Sequence, residues 1–215
     1  MLNSKTDKKN IQLLRMIGQL RDHIDMHRII GLNVGALQKS QINGALLGYL
    51  QKSAQESLAI YICKLFEASP RNDLNSIPGV IDSIPEAPES EMQTRELVAF
   101  GSKYGHGATP ANARSHLKDT FARFRDAHFE SLGRLKEFWD TIGAHSDYRA
   151  DITSLPSHAE IETLFSFAQD FYEAVSRSLI QVGPAVIPRM VGHGFVELIE
   201  ALGVQNPRFD FEDDK

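Results

Sequence analysis

The chain has 215 residues, of which 42% are hydrophobic and 24% are charged, as in an ordinary soluble globular protein. Its formal net charge of -5 argues against a strong overall field for nucleic acid, although a local basic patch remains compatible with it. A single cysteine, Cys63, excludes an internal disulfide and a thiolate zinc site. Since the start shows no signal-peptide pattern and no apolar run approaches the roughly 20 residues of a membrane span, we expect a cytoplasmic protein without membrane contact.

Helical spacing of apolar residues dominates the first third of the chain. We expect a frayed N-terminus over residues 1–7 and a first helix over residues 8–30. The stretch "GLNVG" is then expected to interrupt it, and a second helix is expected over residues 38–68. The sequence predicts no strands, because neither alternation nor a hairpin turn signal occurs.

Proline and turn-forming residues mark an internal loop from Pro70 to Pro88. Within it, Leu74, Ile77, Val80 and Ile81 predict a short helical turn. Further helices are expected over residues 91–104, 110–144, 157–181 and 189–202. Thr109 is the expected N-cap of the second of these, and Ser157 with Glu160 fits a capping box. The whole is an all-α antiparallel bundle of five or six helices, a single domain over residues 8–203 followed by an acidic tail over 204–215.

Two sequence stretches carry a family resemblance. The segment "FWDTIGAHSD" ends a long helix, and "SAQESLAIYICKLFEASPRNDLNSIPGVI" combines a long helix with an "NSIP" loop. Together they resemble the HEPN superfamily, in its abortive-infection U branch, over roughly residues 37–172. HEPN proteins carry an arginine, a polar residue, a short spacer and a histidine at this point.

The resemblance implies a helical bundle that forms a homodimer and, in active members, cuts RNA without a metal or other cofactor. Histidine can move a proton of the ribose hydroxyl, and a guanidinium can hold the phosphate. Carried over by position, His145 matches the histidine and Asp140 the polar residue, which makes them the candidate catalytic pair. Trp139 stands where the arginine is expected. The candidate supporting or substrate-binding residues are Asp147, Arg149, Arg134 and Trp139.

Several alternatives remain open at this point. His145 can equally be a residue that ends a helix, because an imidazole there can bond the last carbonyl groups. The stretch "RDHIDMH", from Arg21 to His27, matches the arginine–histidine spacing but lies in the first helix, and a solvated polar face explains it as well. Cys63 fits a half-buried position in the second helix, and His128 fits a core position.

Three functions follow from these observations. The chain is a degenerate HEPN module that binds RNA or protein, an active metal-independent endoribonuclease that uses His145, or an unrelated helical interaction protein. The first two imply a phage-defence or toxin–antitoxin setting, with a cognate antitoxin or defence protein as a possible partner.

Overall fold

The structure is a computed structural model that describes residues 4–40, 44–69, 71–85, 91–107, 112–140, 156–180 and 190–209. Eight α-helices occur in these ranges, and no strand does, which confirms the all-α prediction. They are α1 (Ser4–Lys39), α2 (Gly44–Phe66), α3 (Ile77–Ser83), α4 (Glu91–Lys103), α5 (Ala113–Ala127), α6 (Phe129–Phe138), α7 (His158–Val175) and α8 (Met190–Ala201). A π-helix, Ser176–Ile180, continues α7.

The first helix differs most from its predicted bounds. It begins at Ser4 and runs through "GLNVG" to Lys39, so the predicted interruption is wrong. A glycine inside a helix costs about 1 kcal/mol relative to alanine. Here Ile29, Asn33 and Leu37 are buried along the same stretch, and the Asn33 amide donates to the Ile29 carbonyl (2.8 Å) and the Arg208 carbonyl (2.7 Å). Packing therefore outweighs the local helix-breaking tendency.

The predicted helix over 110–144 is divided into α5 and α6 by one residue, His128. Asn112, not Thr109, is the N-cap of α5, and its side-chain oxygen accepts a hydrogen bond from the Ser115 amide at 2.8 Å. Thr109 itself lies outside the described residues, as do residues 141–144. The capping box at the start of α7 is confirmed, since Ser157 and Glu160 bond reciprocally.

The chain divides into two compact units, and the first comprises Met1–Ile17 and Ile60–Val186. Its centre is a cluster of aromatic rings from α2, α4, α5 and α7. Phe167 stacks on Phe124 with ring centroids 3.8 Å apart, and it also packs against Phe66, Phe100 and Tyr104. Aromatic packing of this kind supplies the largest apolar burial per residue.

A buried lysine ties the start of α1 to the "NSIP" loop in the same unit. Lys9 is 5% exposed, donates to the Leu74 carbonyl and pairs with Asp73 at 2.6 Å. The Ser76 hydroxyl caps α3 by accepting from the Gly79 amide at 3.2 Å. Gly79 is packed directly on the Leu74 carbonyl, so a side chain there would collide with it. The loop thus closes around Lys9.

The second unit comprises Gly18–Ala59 and Ile187–Lys215. Its apolar core joins the later part of α1, the start of α2 and α8, through Ile29, Leu37, Leu47, Val196, Ile199 and Val204. Gly192 packs on the Asp25 side chain and leaves little room for a Cβ atom. A search of the described residues for a helix that could cross a bilayer gave none.

Candidate functional site

Of the predicted site residues, the structure describes Arg134 in α6 and Trp139 and Asp140 directly after this helix. The last turn of α6 is held by Leu135 and Phe138, which are buried. Trp139 is half-buried and Asp140 is exposed. His145, Asp147 and Arg149 lie outside the described residues, so their predicted roles stay predictions.

Asp140 makes an ion pair along its own helix. Lys136 donates to its carboxylate, with Nζ and Oδ2 2.5 Å apart, four residues earlier in the chain. This hydrogen bond raises the pKa of Lys136. Both side chains are more than half exposed, and an exposed pair of this kind contributes little to stability. Both charged groups can therefore exchange partners at small cost.

Arg134 is committed to a different contact. It pairs with the Glu160 carboxylate of α7, which also accepts from the Ser131 hydroxyl at 2.5 Å and from the Ser157 amide at 2.8 Å. These hydrogen bonds, with that of Ser131 the largest contribution, lower the pKa of Glu160 to about 2. The network joins the end of α6 to the start of α7, and a phosphate contact by Arg134 would have to break it.

Trp139 and Asp140 also lie at one end of an open groove of about 700 Å³ in the first unit. One wall includes Ile60, Cys63 and Lys64 of α2 and Glu67, the residue directly after this helix. The other wall comes from α5, α6 and the residues after it and includes Arg125, Phe129, Leu132, Lys136, Trp139 and Asp140. Phe129 is 71% exposed, which is unusual for a side chain of its size. We call this the α2–α6 groove.

A comparison with protein-family models decides the family. The HEPN_AbiU2 model, described as AbiU2, matches residues 11–183. The chain belongs to the AbiU2 family of HEPN proteins. The predicted resemblance is confirmed, and the match extends beyond the stretch that suggested it at both ends. A search of curated proteins and a search of solved structures each gave no match.

Membership in the AbiU2 family makes this an abortive-infection HEPN-like protein. The matched range includes Arg134, Trp139, Asp140 and His145. Whether Trp139 occupies the position of the family's arginine stays a prediction.

The second arginine–histidine match, Arg21 to His27, lies in α1 and in the second unit. Arg21 is 7% exposed and Asp25 is 2% exposed, so this helical face is largely buried rather than solvated. The His27 and Gln55 side chains approach to 3.0 Å. Burial lowers the pKa of His23 and raises that of Asp22. The Arg21 guanidinium is therefore largely shielded from solvent in this part of the structure.

Cys63 lies on the groove wall and is half-buried, as predicted. Burial is the main cause that raises the pKa of its thiol to about 11, so very little thiolate forms near neutral pH. Among the described residues, no group of three or more His, Cys, Asp or Glu side chains could hold a metal ion.

Sequence reasoning missed the α2–α6 groove. Arg125, Phe129, Leu132, Lys136 and Asp140 follow steps of four and three, the same spacing that marks a core-facing stripe. The structure places Phe138 in the core and Leu132 on the groove. The mixture of charged and apolar residues along these steps was the signal for an exposed groove.

Proposed function

We propose that this AbiU2-family protein acts in abortive infection as a HEPN module that binds RNA and cleaves it weakly or not at all. The observation that carries the proposal is Trp139, which stands where the resemblance places the arginine. An indole offers one N–H donor and no charge, whereas a guanidinium offers a planar fork of donors that matches a phosphate. The module would keep the fold but lose the guanidinium that offsets the negative charge developing on the phosphate during cleavage.

The contacts of Arg134 support the same proposal. Its guanidinium is bound to Glu160, whose carboxylate is also held by Ser131 and Ser157. Releasing Arg134 for a phosphate would leave this carboxylate without its cation. The formal net charge of -5 also favours a weak binder over an efficient enzyme for a polyanion.

The second candidate function is an active metal-independent endoribonuclease. It is favoured by the cluster of His145, Asp147 and Arg149 within five residues. His145 would take the proton of the ribose 2′-hydroxyl as its oxygen attacks the adjacent phosphorus and would return a proton to the departing 5′-oxygen. Arg149 would then supply the cation, with Asp140 and Asp147 in support. This reading requires an effective replacement for the missing arginine.

The proposed partners follow from the family. We propose a homodimer, together with a cognate antitoxin or another defence protein that controls the module, in the cytoplasm. This part of the proposal rests on the family resemblance alone.

The deciding experiment measures cleavage of single-stranded RNA in EDTA by the wild type, His145→Ala and Trp139→Arg, with Trp139→Phe as the uncharged aromatic control. We expect wild-type cleavage equal to the His145→Ala background. We also expect RNA binding, read by fluorescence anisotropy, that weakens as salt rises because counterions are released. EDTA-resistant wild-type cleavage that His145→Ala abolishes would establish the nuclease instead. Cleavage gained by Trp139→Arg alone would confirm that the missing arginine limits activity, whereas absent RNA binding would refute the proposed module.

A further inference from the structure

The second unit has a small apolar core, half of which comes from residues near the end of the chain. Three members belong to α1 and α2, namely Ile29, Leu37 and Leu47, and three follow much later, namely Val196, Ile199 and Val204. We call the surface formed by Ile29, Asn33, Leu37 and Leu47 the α1–α2 slot, and residues 190–209 the C-terminal segment. The family match covers the slot but ends at Gly183, so the segment that fills the slot lies outside the matched range.

Asn33 holds the C-terminal segment by its backbone. This side chain is 4% exposed. Its amide group donates to the Arg208 carbonyl at 2.7 Å, and its oxygen accepts from the Arg208 amide, also at 2.7 Å. Both bonds can form with any residue other than proline at this position. Main-chain hydrogen bonds of this kind give affinity for segments of different sequence, while pockets for side chains supply selectivity.

The shape of the C-terminal segment is set by its own sequence. Gly203 has a φ of 92° and ends α8 in a Schellman motif. The Gly203 amide donates to the Glu200 carbonyl at 2.9 Å, and the Val204 amide donates to the Ile199 carbonyl at 3.1 Å. This turn brings Val204 into the same apolar core as Ile199. The helix, the glycine turn and the apolar residue after it therefore enter the slot as one unit.

Few contacts attach the C-terminal segment. Its buried residues are Gly192, Val196, Ile199, Val204 and Pro207, and most of the others are exposed. Gly192 and Gly194 also lower the intrinsic stability of α8, because glycine is among the least favourable residues in a helix. Elements with few buried apolar contacts open locally while the rest of a protein stays folded. We therefore expect this segment to open more easily than α7, whose buried residues include several phenylalanines.

The charge around the slot is opposite to that of the chain end. Residues 26–55, which carry the slot, include Arg28, Lys39 and Lys52 but no aspartate or glutamate. Residues 190–215 include six acidic side chains and two basic ones. Opposite charges attract over roughly 10 Å at an ionic strength of about 0.1 M. The slot is therefore suited to an acidic helical segment.

We propose that the α1–α2 slot is a docking site for a helical segment of a partner protein, and that the C-terminal segment occupies it in cis until it is displaced. The partner segment would carry two apolar residues three positions apart, a glycine turn, a further apolar residue and acidic side chains. The inference rests on the partner protein of the proposed function and assigns its contact surface. It is independent of RNA binding and of the homodimer.

The test measures whether a free peptide can replace the C-terminal segment. The probe is a synthetic, fluorescein-labelled peptide of residues 188–209, titrated with the full chain and followed by fluorescence anisotropy. In V196D/I199D, carboxylates replace two buried apolar residues of the segment, so the segment should leave a slot whose own residues are unchanged. A covered slot binds only in its open fraction, so we expect this variant to bind the peptide at least about tenfold more tightly than the wild type does.

Two controls locate the binding. Leu198→Asp adds the same charge between these two positions of α8, but Leu198 is 49% exposed. This variant should bind the peptide as weakly as the wild type does. Asn33→Ala, added to V196D/I199D, should weaken peptide binding at least about tenfold, because both bonds to the Arg208 backbone are lost. A peptide that carries the two aspartate substitutions should not bind.

A milder substitution opens the slot without adding charge. A Cβ atom at Gly192 would lie 2.9 Å from Oδ2 of Asp25, so Gly192→Ala should push α8 away from α1. A Cβ atom at Gly194 would meet no atom within 4 Å, which makes Gly194→Ala the matched control. We expect faster amide hydrogen exchange over α8 and tighter peptide binding in the first variant only. Circular dichroism and the fluorescence of Trp139 check that the first unit stays folded.

The outcomes separate this inference from the proposed function. Tighter peptide binding by V196D/I199D that is lost with Asn33→Ala supports the docking site. If V196D/I199D does not fold, Gly192→Ala gives the answer. Folded variants that bind the peptide no better than the wild type, or wild-type amides of α8 that exchange as slowly as those of α7, refute a displaceable segment. RNA binding and oligomeric state are measured separately on the same variants, so the proposed function stands or falls by itself.

Discussion

The Glu160 carboxylate provides the sharpest test of how the ends of α6 and α7 are joined. Glu160→Gln keeps the size of the side chain and an oxygen that can serve the capping box, but it removes the charge that Arg134 and Ser131 contact. The pKa of Glu160 falls from an ordinary 4.5 to about 2 in the folded chain. At about 1.4 kcal/mol per pH unit, this difference corresponds to about 3 kcal/mol.

Solvent reduces that figure. The Glu160 side chain is 32% exposed and Arg134 is 37% exposed, so water and salt screen the interaction. We therefore expect Glu160→Gln to lower the free energy of unfolding at pH 7 by about 1 kcal/mol. Because the folded-state pKa lies below the unfolded one, this stabilisation is complete above pH 4.5 and disappears as the pH falls towards 2.

Urea unfolding followed by tryptophan fluorescence measures this effect directly. Trp139 is the single tryptophan, and it lies in the same compact unit as Glu160. The difference between the wild type and Glu160→Gln should shrink steadily between pH 5 and pH 2.5. Glu130→Gln, at an exposed position of α6, is the control and should change stability by less than about 0.5 kcal/mol. A difference of the same size at both ends of this pH range would refute the charge-based explanation.

Three further predictions concern other described positions. Lys9→Met should lower the free energy of unfolding, measured by thermal unfolding, by about 1–3 kcal/mol, because the Leu74 carbonyl and Asp73 lose their buried cation. Unchanged stability would show that the "NSIP" loop does not need Lys9. Gly101→Ala should lower the free energy of unfolding by about 1–3 kcal/mol, since the new methyl group collides with the His106 carbonyl and the His116 ring. Gly31→Ala, in open space on α1, should raise this free energy by about 0.5–1 kcal/mol. Cys63 should react with iodoacetamide at pH 7 far more slowly than a free thiol, and the reaction rate should increase as the pH rises towards 11. Rapid labelling at pH 7 would show that the thiol is less buried than described.

Local sequence signals were sufficient where a structure depends on neighbouring residues. The capping box of Ser157 and Glu160 and the helical turn at Ile77 both follow from contacts within a few residues, and both are confirmed. The continuation of α1 through two glycines was not predictable in this way. It depends on Asn33 bonding to the Arg208 backbone, 175 residues away in the chain.

The candidate site also combines features set by neighbouring residues with contacts between residues distant in the chain. The helix that leads to Trp139 and Asp140 follows from apolar spacing. The pairing of Arg134 with Glu160 does not, because 26 residues separate them and nothing in the spacing selects this carboxylate among the others. This contact engages Arg134, one of the cations that the sequence had offered for phosphate binding, with a carboxylate of α7.

The contacts of α1 in the first unit also set an order of events during synthesis. The Asn10 amide donates to the Ser176 hydroxyl at 2.9 Å, across 166 residues of chain. At about 5–20 residues per second, a ribosome needs roughly 8–33 s to make the intervening chain. Lys9 can meet the Leu74 carbonyl and Asp73 as soon as that loop has been made, whereas Asn10 cannot reach Ser176 until most of the protein has been synthesised. During that interval, a collapse of this helix onto a non-native surface would be a folding error.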